Sequence, residues 1–270
     1  MLVVFRSVGR FSNRLFQNLH FEAFCLEHGI PFANPTFANM RKYYSAPVAS
    51  PLCATAWLLR RPGIAPLLRL SRAINIVTFD ADTDSSDPAK LAALLAGDCY
   101  VEGWCFRVHQ LTVKHRHIFR ERYALKESYY KDNPLVARLA AIDRHTQAVV
   151  GVHVRRGDYE FFAEGKYYFG DQVYRSYMKT LADQLADCHA KQAVFVIFSN
   201  EETSFKDTAD TIVSREQWYL DHHLMSLCDY LIGPPSSFTG WASYMGDTPL
   251  YYMEVATPTF RLDDFQIMSG

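Results

Sequence analysis

His153, Arg155, Arg156 and Asp158 stand within one six-residue segment, His153-Val-Arg-Arg-Gly-Asp158. Adjacent guanidinium groups are costly unless they meet anions, and their planar forks suit bidentate contact with phosphate. A single Arg–Asp pair closing a strand end would leave one arginine and His153 without a task. The same residues contain Arg156-Gly157-Asp158, an adhesion tripeptide elsewhere; at the end of an apolar core strand it is not presented for that use. A second candidate is Asp80-Ala-Asp82-Thr-Asp84. Alternating carboxylates after a strand can hold Mg²⁺ or Mn²⁺ on a nucleotide-sugar diphosphate, or simply form an acidic turn ahead of the helix after Pro88. As a calcium loop the segment fails, because Ser85 stands where glycine is needed and Leu91 where glutamate is needed. Ser236-Ser237-Phe238-Thr239 opens a helix, where hydroxyls and free N–H groups either grip a phosphate or cap the helix. His115-x-His117 and His222-His223 lack companion ligands at usable spacing and read as surface or helix-face histidines.

These residues need elements to hold them. Ala148–Val154 is an almost wholly apolar run, as expected of a central parallel strand buried on both faces. It delivers the His-Arg-Arg-Asp group to its carboxyl end, where open α/β sheets bind ligands. Downstream the pattern alternates. A helix is predicted over Asp171–Cys188 and a strand over Ala193–Phe198, then a helix after Ser199 and a short strand near Thr211. A helix over Glu216–Leu227, a strand over Tyr230–Ile232, a helix after Ser236 and a strand over Pro249–Met253 complete it. The chain opens similarly: a strand at residues 2–5, a polar turn, then Leu15, Phe16, Leu19, Ala23 and Leu26 at helical spacing with Gly29 as the stop. Residues 30–72 carry six prolines, with a broken amphipathic helix read over 56–70. Strands follow at 74–79 and 99–104, with a short helix at 87–95 between them and helical charge spacing over 106–130. The reading is two α/β domains, 1–145 and 146–270, with the boundary between Pro134 and Gln147.

Composition narrows the class. The chain has 270 residues, is 49% hydrophobic and 21% charged, and so is neither disordered nor fibrous. A formal net charge of −1 gives no overall bias towards nucleic acid. The charge is nevertheless uneven. Between Glu27 and Asp80 there is no acidic residue, while Arg41, Lys42, Arg60, Arg61, Arg69 and Arg72 contribute six positive charges, leaving −7 for the rest. This basic 41–72 segment suits an anionic membrane surface or a lipid diphosphate. Six scattered cysteines without a CxxC pair read as reduced thiols. The opening reads as a strand rather than a signal peptide, and no run approaches the roughly 20 apolar residues of a membrane span. The expected location is cytoplasmic, with peripheral contact at the inner membrane surface.

Taken in order, the segments resemble those of the α-1,2-fucosyltransferases, glycosyltransferase family 11, related to α-1,6- and protein O-fucosyltransferases. The resemblance rests first on His153-Val-Arg-Arg-Gly-Asp158 and on Leu224-Met-Ser-x-Cys228 through Ser236-Ser-Phe-Thr-Gly-Trp241. Gly9-Arg-Phe-Ser-Asn-Arg-Leu-Phe-Gln17, Tyr100-Val-Glu-Gly-Trp-Cys-Phe106 and Phe198-Ser-Asn-Glu-Glu202 are similar to further family segments. Two glycines of the family's opening loop are missing here, Asn200-Glu201 replaces Asp-Asp, and Pro235 replaces Asn. The family implies a GT-B fold of two facing Rossmann-like domains, here with a compact N-terminal domain on the acceptor side. It implies metal-independent, inverting transfer of fucose from GDP-fucose to a glycan hydroxyl, α-1,2 to galactose, the acceptor being an oligosaccharide or lipid-linked glycan. No cofactor is expected beyond that donor. By the resemblance Arg155 and Asp158 are catalytic, while His153, Arg155, Arg156, Asn200, Glu201, Ser236, Ser237, Phe238 and Asn13 bind the nucleotide sugar. His20, Glu22 and Asp158 are candidate bases for the acceptor hydroxyl. Two other readings stay open: a metal-dependent GT-A enzyme using Asp80 and Asp82, and an inactive GDP-sugar or glycan-binding protein.

Overall fold

A computed structural model describes residues 1–45, 67, 75–97 and 99–270. Most of the basic segment, including Arg60, Arg61, Arg69 and Arg72, therefore lies outside the described residues, as does the helix read over 56–70 apart from Leu67. The chain divides into two compact units, Met1–Lys126 with Ser269–Gly270, and Glu127–Met268. The division thus falls ahead of the 145/146 boundary read from the sequence, and a short helix at 134–140 joins the second unit.

In the first unit, strands β1 (Leu2–Val4), β2 (Phe32–Ala33), β3 (Ile76–Phe79) and β4 (Cys99–Gly103) form a parallel sheet in the order β2-β1-β4-β3. Helices α1 (Phe11–Glu27), α2 (Pro88–Leu95), α3 (His109–Lys114) and α4 (Arg116–Arg122) accompany them. The helix α2 starts where its sequence dictates. Pro88 occupies the first position, and the Asp87 carboxylate accepts from the N–H groups of Ala89 and Lys90 at 2.8 and 3.4 Å. Leu2, Val4, Phe21, Phe24, Phe79, Val101 and Phe106 build the core, with Phe21 stacked on Phe106 at 4.6 Å. The two-residue β2 carries too little pattern to be read from sequence.

The second unit holds β5 (Gln147–Val154), β6 (Gln192–Ser199), β7 (Thr211–Val213), β8 (Tyr230–Gly233) and β9 (Leu250–Tyr252), all parallel, in the order β7-β6-β5-β8-β9. Its helices are α5 (Pro134–Ala140), α6 (Asp171–His189), α7 (Trp218–Ser226) and α8 (Ser237–Gly246). Counted within the unit, this is the Rossmann strand order, with the reversal of direction between β5 and β8. Val150, Val152 and Val154 are fully buried and pack with Tyr174, Tyr177, Leu181 and Leu185 of α6. Apolar residues four apart on α6 therefore met the strand that the sequence made continuously apolar.

One predicted helix does not form. After Ser199 the chain runs to β7 through turns and bends. Its N–H groups find side-chain acceptors instead of a helical ladder: Glu201 donates to Ser199 Oγ at 3.2 Å, Phe205 to Thr203 Oγ1 at 3.4 Å, and Ser204 to Asp171 of α6 at 2.7 Å.

Candidate functional site

In the second sheet loops leave the neighbouring strands β5 and β8 in opposite directions and open a crevice at their carboxyl ends. Most of the predicted site residues come together at this switch point.

His153, the penultimate residue of β5, is 4% exposed. Its ring lies 5.3 Å from that of Phe238, and Phe238 lies 3.9 Å from His222. Burial pushes the pKa values of both histidines down to about 3, with Arg155 adding to the effect on His153, and His153 to that on His222. Both imidazoles are therefore neutral at pH 7, and the Nδ1 of His153 has no hydrogen-bond partner. His222 overturns its sequence reading. It is 5% exposed and belongs to this ring stack rather than to a helix surface. Periodicity along α7 could have shown this, because His222 shares the helix with buried Leu224 and Met225.

The two arginines are held differently. Arg156 donates to Asp171 at the start of α6 and to the carbonyl of Glu202 at 3.4 Å. Burial opposes ionisation of Asp171, but hydrogen bonds from Ser204 and the Arg156 guanidinium hold its carboxyl below the usual range. Arg156 is thus committed to the loops around it. Arg155 pairs with Asp158 at 2.5 Å, and its guanidinium sits 5.1 Å from the Tyr159 ring centre. Its Nε is buried without a partner. Arg155 therefore keeps unused donor capacity, and Asp158, which is exposed, fixes its direction.

Gly157 makes the approach of the next loop feasible. It has φ +64, and a Cβ there would lie 2.8 Å from Glu201 Oε1 and 3.2 Å from Asn200 Nδ2. Asn200 accepts from Arg156 N–H at 3.1 Å, while Glu201 donates its N–H to Ser199 Oγ at 3.2 Å. On the β8 side, Ser236 caps α8 by accepting from Phe238 N–H at 3.2 Å. Ser237 is the first residue of that helix. Tyr159 ties the two sides together by donating to the carbonyl of Pro235. The result is a switch point with two guanidinium groups, a helix start, neutral imidazoles and stacked rings: the groups required to receive a diphosphate and a flat base.

Asn13 belongs to the first unit, in the first turn of α1, where it packs over Gly9. That glycine has φ +68, and a Cβ there would lie 2.3 Å from Asn13 Nδ2. His20 and Glu22, two of the candidate bases, are turned into the interior of the same unit. Glu22 accepts from Tyr123, Arg122 and Asn18; its pKa is raised by burial, against which these bonds act. The Asp80–Asp84 segment folds on itself. Asp84 accepts from the N–H groups of Asp80 and Ala81 at 2.8 and 3.0 Å and pairs with Lys90 at 2.7 Å. His115 pairs with Glu27 at 2.8 Å, and His117 is exposed. Among the described residues, no group of three or more His, Cys, Asp or Glu side chains converges as a metal site. The described cysteines, Cys25, Cys99, Cys105, Cys188 and Cys228, are free thiols. No helix among the described residues is long and apolar enough to cross a membrane.

Similarity to known proteins agrees with this architecture. The solved structure of a FUT1 mutant from Arabidopsis thaliana, in complex with GDP, is 14% identical with a TM-score of 0.56, covering 98% of this chain and 73% of that one. The fucosyltransferase NodZ from Bradyrhizobium is 16% identical with a TM-score of 0.54, covering 94% of this chain and 96% of that one. At such identities the likeness carries the fold, which is α/β of the GT-B type, with a Rossmann-like sheet in each unit. Among curated proteins, none matches the chain by sequence. The sequence profile of glycosyl transferase family 11 matches residues 100–266, a span that includes all of β4 but Cys99 and the whole β5–β8 switch point. The chain belongs to glycosyl transferase family 11.

Proposed function

We propose that the chain transfers fucose from GDP-fucose to a hydroxyl of a free or lipid-linked glycan, α-1,2 to galactose, with inversion and without a metal. The observation that carries this reading is Arg155: a guanidinium at the switch point of a Rossmann sheet, aimed by Asp158 and retaining a buried, unpartnered Nε. Membership of the family supports glycosyl transfer, and fucosyltransferases of the same fold, one of them holding GDP, support the donor.

The chemistry requires such a group. As the bond from fucose to the β-phosphate breaks, the anomeric carbon becomes oxocarbenium-like and negative charge collects on the departing diphosphate. A donor already fixed where that charge develops lowers the barrier by about 3 kcal/mol. Arg155 fills that role, with the start of α8 at Ser236 and Ser237 on the other side of the phosphates and Arg156 holding the surrounding loops through Asp171 and Glu202. His153, neutral and stacked on Phe238, faces the nucleotide, and Asn200 and Glu201 border it. Of the candidate bases, Asp158 is exposed whereas His20 and Glu22 are buried. Asp158 thus combines two tasks, holding Arg155 and meeting the acceptor proton.

The test is GDP release from several GDP-sugars with a panel of galactosides, with and without EDTA. Fucose-specific release that depends on a galactoside and survives EDTA is expected. Release abolished by EDTA would return the reaction to a metal held by Asp80 and Asp82, and GDP binding without turnover on any acceptor would make the protein a binding module.

A further inference from the structure

The loop that follows the arginine segment displays apolar surface that packing does not explain. Phe161 is 81% exposed and Phe162 51% exposed, and Tyr168 is exposed as well. The other exposed large apolar residues of the second unit, Leu227, Val255 and Ile267, are isolated. Exposed aromatics gathered in one loop mark a binding surface more often than solitary ones do.

This surface is continuous with the site. The Arg155 guanidinium lies over Tyr159, Tyr159 packs on Phe162 at 5.0 Å and 33°, and Phe162 stacks with Tyr167 at 6.3 Å. A row of rings thus leads from the phosphate-facing arginine to solvent, anchored by the Tyr159–Pro235 hydrogen bond. The turn that presents it is strained. Ala163 and Glu164 both adopt left-handed backbone, with φ of 50° and 57°, which residues bearing a Cβ seldom do twice in succession. Strain of this kind persists where the surroundings enforce it, commonly at ligand sites. Glu160 and Glu164, in the same loop, are exposed.

We propose that Phe161 and Phe162 form the platform on which the acceptor sugar stacks, with Glu160 and Glu164 accepting from its hydroxyls. This rests on the transfer reading above. The acceptor must bring a hydroxyl to the anomeric carbon, which adjoins the β-phosphate, and the ring row begins one side chain away from Arg155. Galactose suits such a surface, because its axial O4 leaves three C–H bonds on one face as an apolar patch, while its hydroxyls reach outward to carboxylates.

The test is the steady-state kinetics of Phe161→Ala, Phe162→Ala and Phe161→Trp with GDP-fucose and a β-galactoside. Phe161 is exposed, so its truncation removes little packing, and the Trp variant keeps a ring at that position. For the two alanine variants the acceptor KM is expected to rise about tenfold while the GDP-fucose KM moves less than twofold; the Trp variant should keep an acceptor KM close to wild type. Unchanged acceptor KM in both alanine variants, or an equal rise in both KM values, overturns the platform. Wild-type turnover is measured in the same series. Its absence removes the transfer reading and the platform together, whereas its presence with unchanged acceptor KM removes the platform alone.

Discussion

The two parallel sheets carry opposite chemistry at the carboxyl ends of their central strands. In the first, the Gln17 side chain closes the gap between the loops after β1 and β4. It donates to the carbonyls of Arg6 and Gly103 at 3.0 and 2.9 Å and accepts from Val8 N–H at 3.2 Å. One neutral amide thus satisfies three backbone groups. In the second, the corresponding place holds Arg155, Arg156 and neutral His153, with donor capacity left over. A strand order only provides a crevice; the residues at its mouth decide whether it is stitched shut or kept ready for an anion.

This contrast can be broken by experiment. The largest expected effect is Arg155→Ala, which should lower kcat by about 10²–10³-fold, as loss of one preorganised donor typically does. Its melting temperature should stay close to wild type, because the arginine is held mainly by an exposed carboxylate. In the first unit the balance reverses. Gln17→Ala leaves buried backbone groups without partners and should cost about 2–3 kcal/mol in urea unfolding, with GDP affinity unchanged. Equal activity losses in both variants would erase the distinction between the two sheets.

The second unit also carries its own pH signature. Burial, opposed by the 2.5 Å bond from Ser214 and reinforced by Glu216, raises the pKa of Asp221 to about 7. The unfolded chain ionises this group at lower pH than the native one, so stability falls as pH rises from about 4 to about 7 and then levels. His153 and His222 act in the other direction. Their native pKa values near 3 mean that the unfolded chain binds more protons below about pH 6.5, so stability falls as pH drops from there towards 3. Between about pH 4 and 6.5 the two effects oppose each other, so Asp221→Asn should steepen the rise of unfolding free energy with pH, by up to about 4 kcal/mol over the window to about pH 7. An unchanged pH dependence would contradict the assignment.

What was legible in the sequence follows from how local each signal is. The seven-residue apolar run of β5 and the Leu/Tyr spacing of α6 are determined by burial on defined faces, and both elements formed as read. His153, Arg155, Arg156 and Asp158 were conspicuous because two guanidinium groups at a strand end require an anion. The burial of His222 was readable from its spacing to Met225 on α7, but its contact with Phe238 was not, because spacing does not encode a tertiary contact. The helix expected after Ser199 failed because Asp171, distant in sequence, claims Ser204 N–H. Gln17 was noticed only as part of a motif, since its task depends on Gly103, a residue of another strand.

The central claim is that the switch point of the second unit binds a diphosphate through Arg155 without a metal. Calorimetric titration of GDP and GMP into wild type and Arg155→Ala, all in EDTA, tests it by pairing the β-phosphate with the guanidinium. The account predicts that wild type prefers GDP by at least about tenfold and that Arg155→Ala loses most of that preference. A preference that survives in Arg155→Ala, or is missing from wild type in EDTA, would contradict it.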